Sequence, residues 1–134
     1  MTEGVTLRAA GADEVAAVDA IYNAARPLEV GDDPEQARRF RRMPAGTNTF
    51  AVVDGRPVGF VTVTQEEVRF LYVLPEYQGR GIGRLLLDTA LGQIDGVAKL
   101  TVYERNRRAR EVYERAGFEV ETTVSQVLVM RRVP

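Results

Sequence analysis

The chain has 134 residues, of which 45% are hydrophobic and 28% charged, a composition typical of one globular domain with its own core. It contains no cysteine and no histidine, which excludes disulfides, thiolate or imidazole metal sites, cysteine nucleophiles and Ser-His-Asp triads. With 18 basic and 19 acidic residues the net charge is -1, which does not favour bulk attraction to nucleic acid.

Seven β-rich runs and four helical segments follow one another along a single domain of residues 1–134. The strands are predicted at Val5–Arg8, Phe50–Val53, Val58–Thr64, Val68–Leu74, Lys99–Tyr103, Phe118–Val120 and Val127–Met130. The helices are predicted from Asp13 to Ala25, from Asp33 onward, from Ile82 to Ile94 and from Asn106 to Ala116. This order predicts an α/β (α+β) mixed sheet, with a parallel crossover from Val68 to Tyr103.

Local signals fix several boundaries of these elements. Asp54-Gly55 between two β-rich runs predicts a hairpin, and a tight turn is expected near Gln65-Glu66. Pro75 ends the fourth strand because proline lacks the N–H that a strand needs. Gly117 stands where a glycine commonly ends a helix.

Nothing in the sequence predicts a membrane segment. No apolar run approaches the roughly 20 residues that cross a bilayer, and the N-terminus MTEGVTLRAA lacks the basic and apolar regions of a signal peptide. We therefore expect a cytoplasmic protein with no membrane partner and no metal cofactor.

Three glycines alternate through the turn before the third helix, at Gly79, Gly81 and Gly83. Because glycine has no side chain, such a turn leaves the first backbone amides of the helix uncovered. These amides lie at the positive end of the helix dipole and can bind phosphate. The dinucleotide fingerprint does not fit, because Arg84 stands where its third glycine is required, and no Walker A run is present. The pattern Q-x-x-G-x-G that begins at Gln78 resembles the acetyl-CoA motif of the GNAT N-acetyltransferases. The alternative is a turn that merely needs small residues.

A second segment strengthens this resemblance. Asn106, Ala109, Tyr113 and Gly117-Phe118 are spaced as in the other hallmark segment of that family, one strand and one helix away from the glycine turn. The element order also follows the family, so the resemblance covers essentially the whole chain. It implies the GNAT acyl-CoA N-acyltransferase fold: a central, mostly antiparallel sheet with a splayed parallel pair of fourth and fifth strands and about four helices.

The resemblance also implies where acetyl-CoA binds. Its pantetheine arm pairs with the strand backbone at Leu71, Tyr72 and Val73. Its pyrophosphate lies on the backbone amides of the glycine turn, with two arginines beside it. The segment that holds it consists of Gln78, Gly79, Arg80, Gly81, Ile82, Gly83 and Arg84. The Asn106 side chain contacts the pantetheine arm, unless it is only a helix cap. One of the arginines beside Asn106 in the sequence binds the 3′-phosphate, with Arg107 or Arg110 favoured over Arg105 and Arg108.

The reaction implied is attack of a neutral amine on the thioester carbon, with no covalent enzyme intermediate. A strand amide near Val73 stabilises the carbonyl oxygen, and Tyr113 acts as general acid toward the thiolate, unless it is only a core aromatic. Since a free thiol has a pKa of about 8.5 and tyrosine about 10, full proton transfer runs uphill by roughly 2 kcal/mol. Tyr113 is therefore expected to donate a strong hydrogen bond, or to be made more acidic by nearby arginines.

The general base is the least defined of these roles. The resemblance points to Glu67, six residues before Val73, and strand alternation places it on one face with Arg69 and Leu71. A neighbouring arginine weakens a carboxylate as a base. Glu66, Glu104 and water remain alternatives.

These observations predict an acetyl-CoA-dependent transferase that acts on a primary amine of a small molecule, peptide or protein, in a ternary complex. The alternative is a non-catalytic acyl-CoA sensor with the same fold. An RNA-binding domain is disfavoured by the net charge, although the segment from Arg38 to Arg42 is locally basic. That segment is a solvated helix face or an acceptor wall, and both a monomer and a homodimer are compatible with the sequence.

Overall fold

The computed structural model describes residues 4–26 and 40–134. In these ranges seven strands form one sheet, and three α-helices pack on it. The strands are β1 (Val5–Ala9), β2 (Thr47–Val53), β3 (Arg56–Thr64), β4 (Glu67–Val73), β5 (Ala98–Tyr103), β6 (Glu119–Val124) and β7 (Val127–Arg132). The helices are α1 (Val15–Ala25), α2 (Ile82–Leu91) and α3 (Arg107–Arg115), and a 3-10 turn spans Pro75–Tyr77. The predicted mixed class is confirmed, whereas the helix start at Asp33 and the arginines at 38 and 39 lie outside the described residues.

The sheet is mostly antiparallel, with the strand order β1-β2-β3-β4-β5-β7-β6. Only β4 and β5 run parallel among its neighbouring strands. The hairpin predicted at Asp54-Gly55 is present, with φ angles of 50° and 76°, as a two-residue turn between strands requires. The turn at Gln65-Glu66 joins β3 to β4, and Gln65 has a φ of 49°.

The parallel pair is joined at one end only. Glu67 of β4 is in register with Lys99 of β5, and this is the single residue pair of that ladder. The Lys99 amide donates to the carbonyl of Glu66 at 2.8 Å. Toward their carboxyl ends the two strands are no longer paired, which leaves a wedge open in the middle of the sheet.

Helices cover both faces of the sheet beside this wedge. A Cβ on Gly59 of β3 would lie 3.1 Å from the Leu86 side chain of α2. The ring of the next residue, Phe60, lies 6.0 Å from the ring of Tyr72 in a tilted arrangement. The Tyr72 ring in turn packs edge to face against Tyr22 of α1, with 4.9 Å between the ring centroids. Because successive strand residues point to opposite faces, α1 and α2 lie on opposite sides, and the core is divided between them.

A register shift in β4 overturns one expectation from the sequence. Thr62 of β3 pairs with Phe70, but the next residue, Val63, pairs with Val68, so β4 carries one extra residue at this point. A bulge of this kind offsets the alternation of side chains along the strand. Glu67 therefore does not share a face with Leu71, as strict alternation predicted; the register places it on the face of Phe70.

Several further boundaries differ from the predicted ones, most of all at the end of α2, at the end of β6 and at the start of β2, which begins at Thr47 instead of Phe50. The α2 helix ends at Leu91 instead of Ile94, because Gly92 follows as its C-cap, and glycine is a poor helix former. Ile94 is nevertheless 9% exposed and joins the core from the loop. β6 extends to Val124 instead of Val120, and all six of its residues are exposed.

No helix in the described ranges is long and apolar enough to cross a membrane.

Candidate active site

The wedge opens into a cavity of about 600 Å³ between β4, the glycine turn and α3. Residues of these three elements form most of its walls: Leu71, Tyr72, Val73, Gln78, Gly79, Gly81, Gly83, Arg84, Asn106, Ala109, Val112 and Tyr113. We call this cavity the cleft. It brings together most of the residues that the two sequence motifs singled out.

The glycine turn presents backbone amides without side chains around them. Gly79 and Gly81 have φ angles of 79° and 82°, a left-handed conformation that side chains rarely adopt. Gly81 is also the N-cap of α2, and no side chain caps this helix. The first amides of α2 therefore point toward the cleft at the positive end of the helix dipole, an arrangement that binds anions.

Side chains of the turn hold it in place but do not all reach the cleft. Gln78 lines the cleft and its Nε2 donates to the Val73 carbonyl at 3.1 Å, which ties the turn to the end of β4. Arg80 instead donates to the Glu76 carbonyl at 3.2 Å and lies over the Tyr77 ring. Ile82 is 1% exposed and packs into the core, so only its backbone is available to a ligand.

Three arginines line the cleft. Arg84 lines it and forms an ion pair with Asp88 at 2.9 Å. Arg108 and Arg115 line it from α3, and the Nη2 atom of Arg108 lies 3.1 Å from where a Cβ on Gly79 would be. The sequence placed Arg108 among the candidates for the 3′-phosphate without favouring it and gave no role to Arg115; the seven-residue spacing of the two, about two helical turns, was the available signal.

Asn106 serves both the helix and the cleft. Its Oδ1 accepts a hydrogen bond from the Ala109 amide at 3.3 Å, so it caps α3. Its Nδ2 has no hydrogen-bond partner among the described residues, and the side chain lines the cleft. The two roles weighed from the sequence are thus compatible, because each uses a different end of the amide.

Tyr113 lies in the same cleft, two turns further along α3. It is 8% exposed and packs edge to face against Phe118 at 6.0 Å between ring centroids. Gly117, with a φ of 99°, ends the helix so that the Phe118 amide returns to the Tyr113 carbonyl at 3.0 Å. The position of Tyr113 is therefore set by a ring contact with Phe118 and by a backbone hydrogen bond from the same residue.

A family model for the acetyltransferase (GNAT) domain matches residues 45–120. This range contains both the glycine turn and the segment from Asn106 to Phe118. The chain belongs to the GNAT family. The mostly antiparallel sheet with its splayed parallel pair, expected from the resemblance, is thereby confirmed as the GNAT fold.

Relatives and solved structures agree with this assignment. Peptidyl-lysine N-acetyltransferase YjaB of Salmonella typhimurium is 35% identical over 79 residues, which are 58% of this chain and 54% of YjaB. N-alpha-acetyltransferase RimI of Mycobacterium tuberculosis is 36% identical over 107 residues, 69% of this chain and 66% of RimI. The chain thus spans about half to two thirds of the length of these relatives. The PaiA N-acetyltransferase of Thermoplasma acidophilum, solved with coenzyme A, has the same fold: the TM-score is 0.78 at 18% identity, covering 97% and 99% of the two chains.

Within this GNAT domain, four predicted site residues lie away from the cleft walls. Arg80 and Ile82 do so as described above. Glu67 lies where β4 and β5 are paired, at the closed end of the wedge. Arg110 lines a different cavity, together with Glu104 and Arg107. None of the three carboxylates considered as a base, Glu66, Glu67 and Glu104, lines the cleft.

Proposed function

We propose that this chain transfers an acetyl group from acetyl-CoA to a primary amine by direct attack in a ternary complex. The observation that carries the proposal is the combination of an open wedge, bare helix amides at its phosphate end and Tyr113 in one cleft. The relatives named as peptidyl-lysine and N-alpha-acetyltransferases support an amine of a peptide or protein as acceptor. A small-molecule amine is the alternative.

The cleft offers acetyl-CoA three kinds of contact. Where β4 is unpaired with β5, backbone groups between Leu71 and Val73 are available to the amides of the pantetheine arm. The amides at the start of α2 receive the pyrophosphate, with Arg84 and Arg108 beside them. The Asn106 Nδ2 donates to a carbonyl of the arm.

The chemical step places a new C–N bond at the thioester carbon and breaks the C–S bond. The electron pair of the C–S bond leaves with the sulfur, and the proton of the attacking amine goes to water. A β4 amide near Val73 stabilises the carbonyl oxygen while it carries negative charge. The Tyr113 hydroxyl donates a hydrogen bond to the sulfur as the thiolate forms.

Water is the base in this proposal because none of the carboxylates predicted for that role lines the cleft, and the carboxylate that does line it, Glu111, belongs to an exposed residue of α3. Glu67 is half-buried at the paired end of β4, and Glu66 belongs to the exposed turn before it. The same observation favours the second candidate function, an acyl-CoA sensor that binds without catalysis. Tyr113 in the cleft favours the enzyme.

Thermal unfolding with added ligands tests the cofactor. A ligand present at one hundred times its Kd stabilises a protein by about 2.7 kcal/mol, which corresponds to a rise in Tm of several degrees for a domain of this size. We expect this rise with acetyl-CoA and not with NAD or ATP alone. No rise at millimolar acetyl-CoA would exclude the cofactor.

Release of free thiol from acetyl-CoA then separates enzyme from sensor. A panel of peptide N-termini, lysine peptides and small amines is incubated with the protein and acetyl-CoA. The enzyme releases CoA with at least one class of amine and forms the matching amide, which mass spectrometry detects. A protein that binds acetyl-CoA and releases none with any class is the sensor.

A further inference from the structure

A second cavity, of about 420 Å³, lies where β5 turns into α3. Its walls are Tyr103, Glu104, Arg105, Arg107 and Arg110 of this junction and Gln126 of the turn between β6 and β7. That turn is fastened to the junction, because the Glu104 amide donates to the Gln126 carbonyl at 2.8 Å. The cavity, which we call the arginine cavity, thus collects three guanidinium groups and one carboxylate.

Helix α3 separates this cavity from the cleft. Arg107 and Arg110 are three residues apart and therefore share one side of the helix, whereas Arg108 and Arg115 share another side and line the cleft. The arginine cavity is for that reason not an extension of the phosphate end of the cleft. Asn106, at the start of the helix, stands between the two spaces.

Arg110 supplies a guanidinium group whose position in the arginine cavity is fixed by a backbone contact. Arg110 donates through Nη1 to the Glu104 carbonyl at 3.0 Å, and its Nε is buried without a hydrogen-bond partner. The carboxylate of Glu104 forms no ion pair with Arg107 or Arg110 in the part of the chain that the structure describes. A fixed guanidinium with unused donors binds carboxylate or phosphate groups well, because its planar fork matches their oxygens.

We propose that the arginine cavity binds a carboxylate or phosphate group carried by the amine acceptor. This inference rests on the proposed function. Both cavities open at the carboxyl ends of the parallel strands, one beside β4 and the other at the end of β5, with Asn106 between them. Because Asn106 lines the cleft and is the chain neighbour of Arg107, the two cavities adjoin at the start of α3, and an acceptor whose amine enters the cleft would extend past Asn106 to place an anionic group on Arg107 and Arg110. Glu104, in the same wall, disfavours anions generally and suits a ligand that also carries an ammonium group.

Matched pairs of amines test this assignment by binding, without turnover. The probes are O-phosphoethanolamine against ethanolamine and L-lysine against cadaverine, titrated calorimetrically into the protein saturated with CoA. We expect the anionic member of at least one pair to bind about tenfold tighter, as charge-assisted hydrogen bonds would give. Equal binding within both pairs, or no binding of any probe, would overturn the proposal.

A double variant locates the effect in the arginine cavity. In Arg107→Gln/Arg110→Gln the advantage of the anionic member is expected to disappear. In Arg69→Gln/Arg131→Gln, which removes the same charge from two exposed arginines on β4 and β7, it is expected to persist. If both double variants lose the advantage equally, it arises from the overall charge of the protein and the proposal is wrong.

A cofactor control distinguishes the acceptor from the 3′-phosphate of CoA. The Arg107→Gln/Arg110→Gln variant is expected to bind CoA and 3′-dephospho-CoA as the unmodified protein does. A loss of affinity for CoA but not for 3′-dephospho-CoA would assign the cavity to the cofactor and overturn the proposal. The proposed function fails on a different result, namely that CoA does not bind or that no amine releases thiol. In that case the amine pairs are titrated into the protein without CoA, and the inference about the arginine cavity is still tested.

Discussion

Two helices, α2 and α3, begin at the carboxyl ends of the parallel strands, and their first turns are completed in opposite ways. α2 follows β4 and begins at Gly81, in a left-handed conformation and with no side chain over its amides. α3 follows β5 and begins at Asn106, whose Oδ1 accepts from the Ala109 amide. A side chain of the protein thus completes the first turn of α3, whereas no side chain completes that of α2.

The difference shows how two helices at the same edge of a sheet can serve different purposes, one with uncovered amides and the other with a fixed first turn. A helix with glycine at its N-cap is less stable than one capped by an asparagine side chain by roughly a few tenths of a kcal/mol, and its first amides stay uncovered. The cap on α3 fixes the beginning of the helix that carries Tyr113. In the proposed function, the end of the cleft that binds the cofactor thus depends on missing side chains, and the end that carries Tyr113 depends on a side chain that is present.

Placing a side chain at the start of α2 is expected to have the largest effect. In Gly81→Val the new side chain occupies the approach to the amides, so binding of acetyl-CoA should be lost up to millimolar concentration. Because Gly81 has a positive φ, the change also strains the backbone. Gly96→Val is the matched control: its φ is 91° and a Cβ there meets nothing within 4 Å. Titration calorimetry should show normal binding by the control; equal losses in both variants would mean that strain, not the anion site, is responsible.

Removing one hydroxyl from α3 is expected to lower the rate without changing the fold. Tyr113→Phe keeps the ring against Phe118 and should leave acetyl-CoA affinity within a few-fold. Since the hydroxyl acts only when charge builds on sulfur, kcat and kcat/KM should fall together, by about 10²–10⁴-fold for a general acid. Steady-state kinetics with an accepted amine measures this. A variant with unchanged kcat would remove Tyr113 from the mechanism, and a lower Tm with weak CoA binding would indicate a structural role.

Asn106 permits the cap and the ligand contact to be separated. Asn106→Asp keeps the oxygen that caps α3 but replaces the Nδ2 donor, so Tm should be unchanged while affinity for acetyl-CoA falls about tenfold, the value of one hydrogen bond. Asn106→Ala removes both and should also lower Tm by several degrees. Melting curves with and without acetyl-CoA measure the two effects. If the aspartate variant binds as the unmodified protein does, Asn106 is a cap alone.

The start of α1 provides the smallest effect, and it depends on pH. Glu14 accepts hydrogen bonds from Arg8 at 2.7 Å and 2.8 Å and from the Gly11 amide at 2.9 Å. These contacts, with Arg8 first, lower the pKa of Glu14 from 4.5 to about 2. A carboxyl whose pKa is lower in the folded state stabilises the fold above its unfolded pKa, and this contribution is lost as the pH falls toward the folded value.

Glu14→Gln should therefore lower Tm at neutral pH, by a few degrees at most because the pair is near the surface. The difference from the unmodified protein should shrink between about pH 4.5 and pH 2. Glu121→Gln, on the exposed strand β6, is the control and should show no such trend. If the Tm difference between Glu14→Gln and the unmodified protein stays constant across this pH range, the charge of Glu14 is not its cause.

Much of the fold is predictable because local chemistry determines it. Asp54-Gly55 forms its hairpin, and Asn106 and Gly117 begin and end α3 as their residue types favour. The end of α2 was predicted wrongly because Ile94 continues the apolar period although the helix has already stopped at Leu91. β6 was predicted too short because it is exposed on both faces and so carries no apolar alternation.

The parts of the site that the backbone forms could be predicted from the sequence. The parts that depend on the direction in which a side chain points could not. The glycine spacing predicted a turn with uncovered amides, and that turn lies in the wall of the cleft. The extra residue in β4 that moves Glu67 to another face, however, leaves no mark in the sequence. Periodicity groups Arg107 with Arg110 and Arg108 with Arg115. It does not tell which group faces the cleft, because that depends on how α3 is rotated against the sheet.

The single pairing of β4 with β5 also gives the protein a strand edge in the interior of its sheet. Unpaired edges on the outside of a sheet attract strands of other molecules and promote aggregation. Here the unpaired stretch is flanked by β3 on one side and by β5 on the other, so it lies inside the sheet and not at an outer edge that a strand of another molecule could extend.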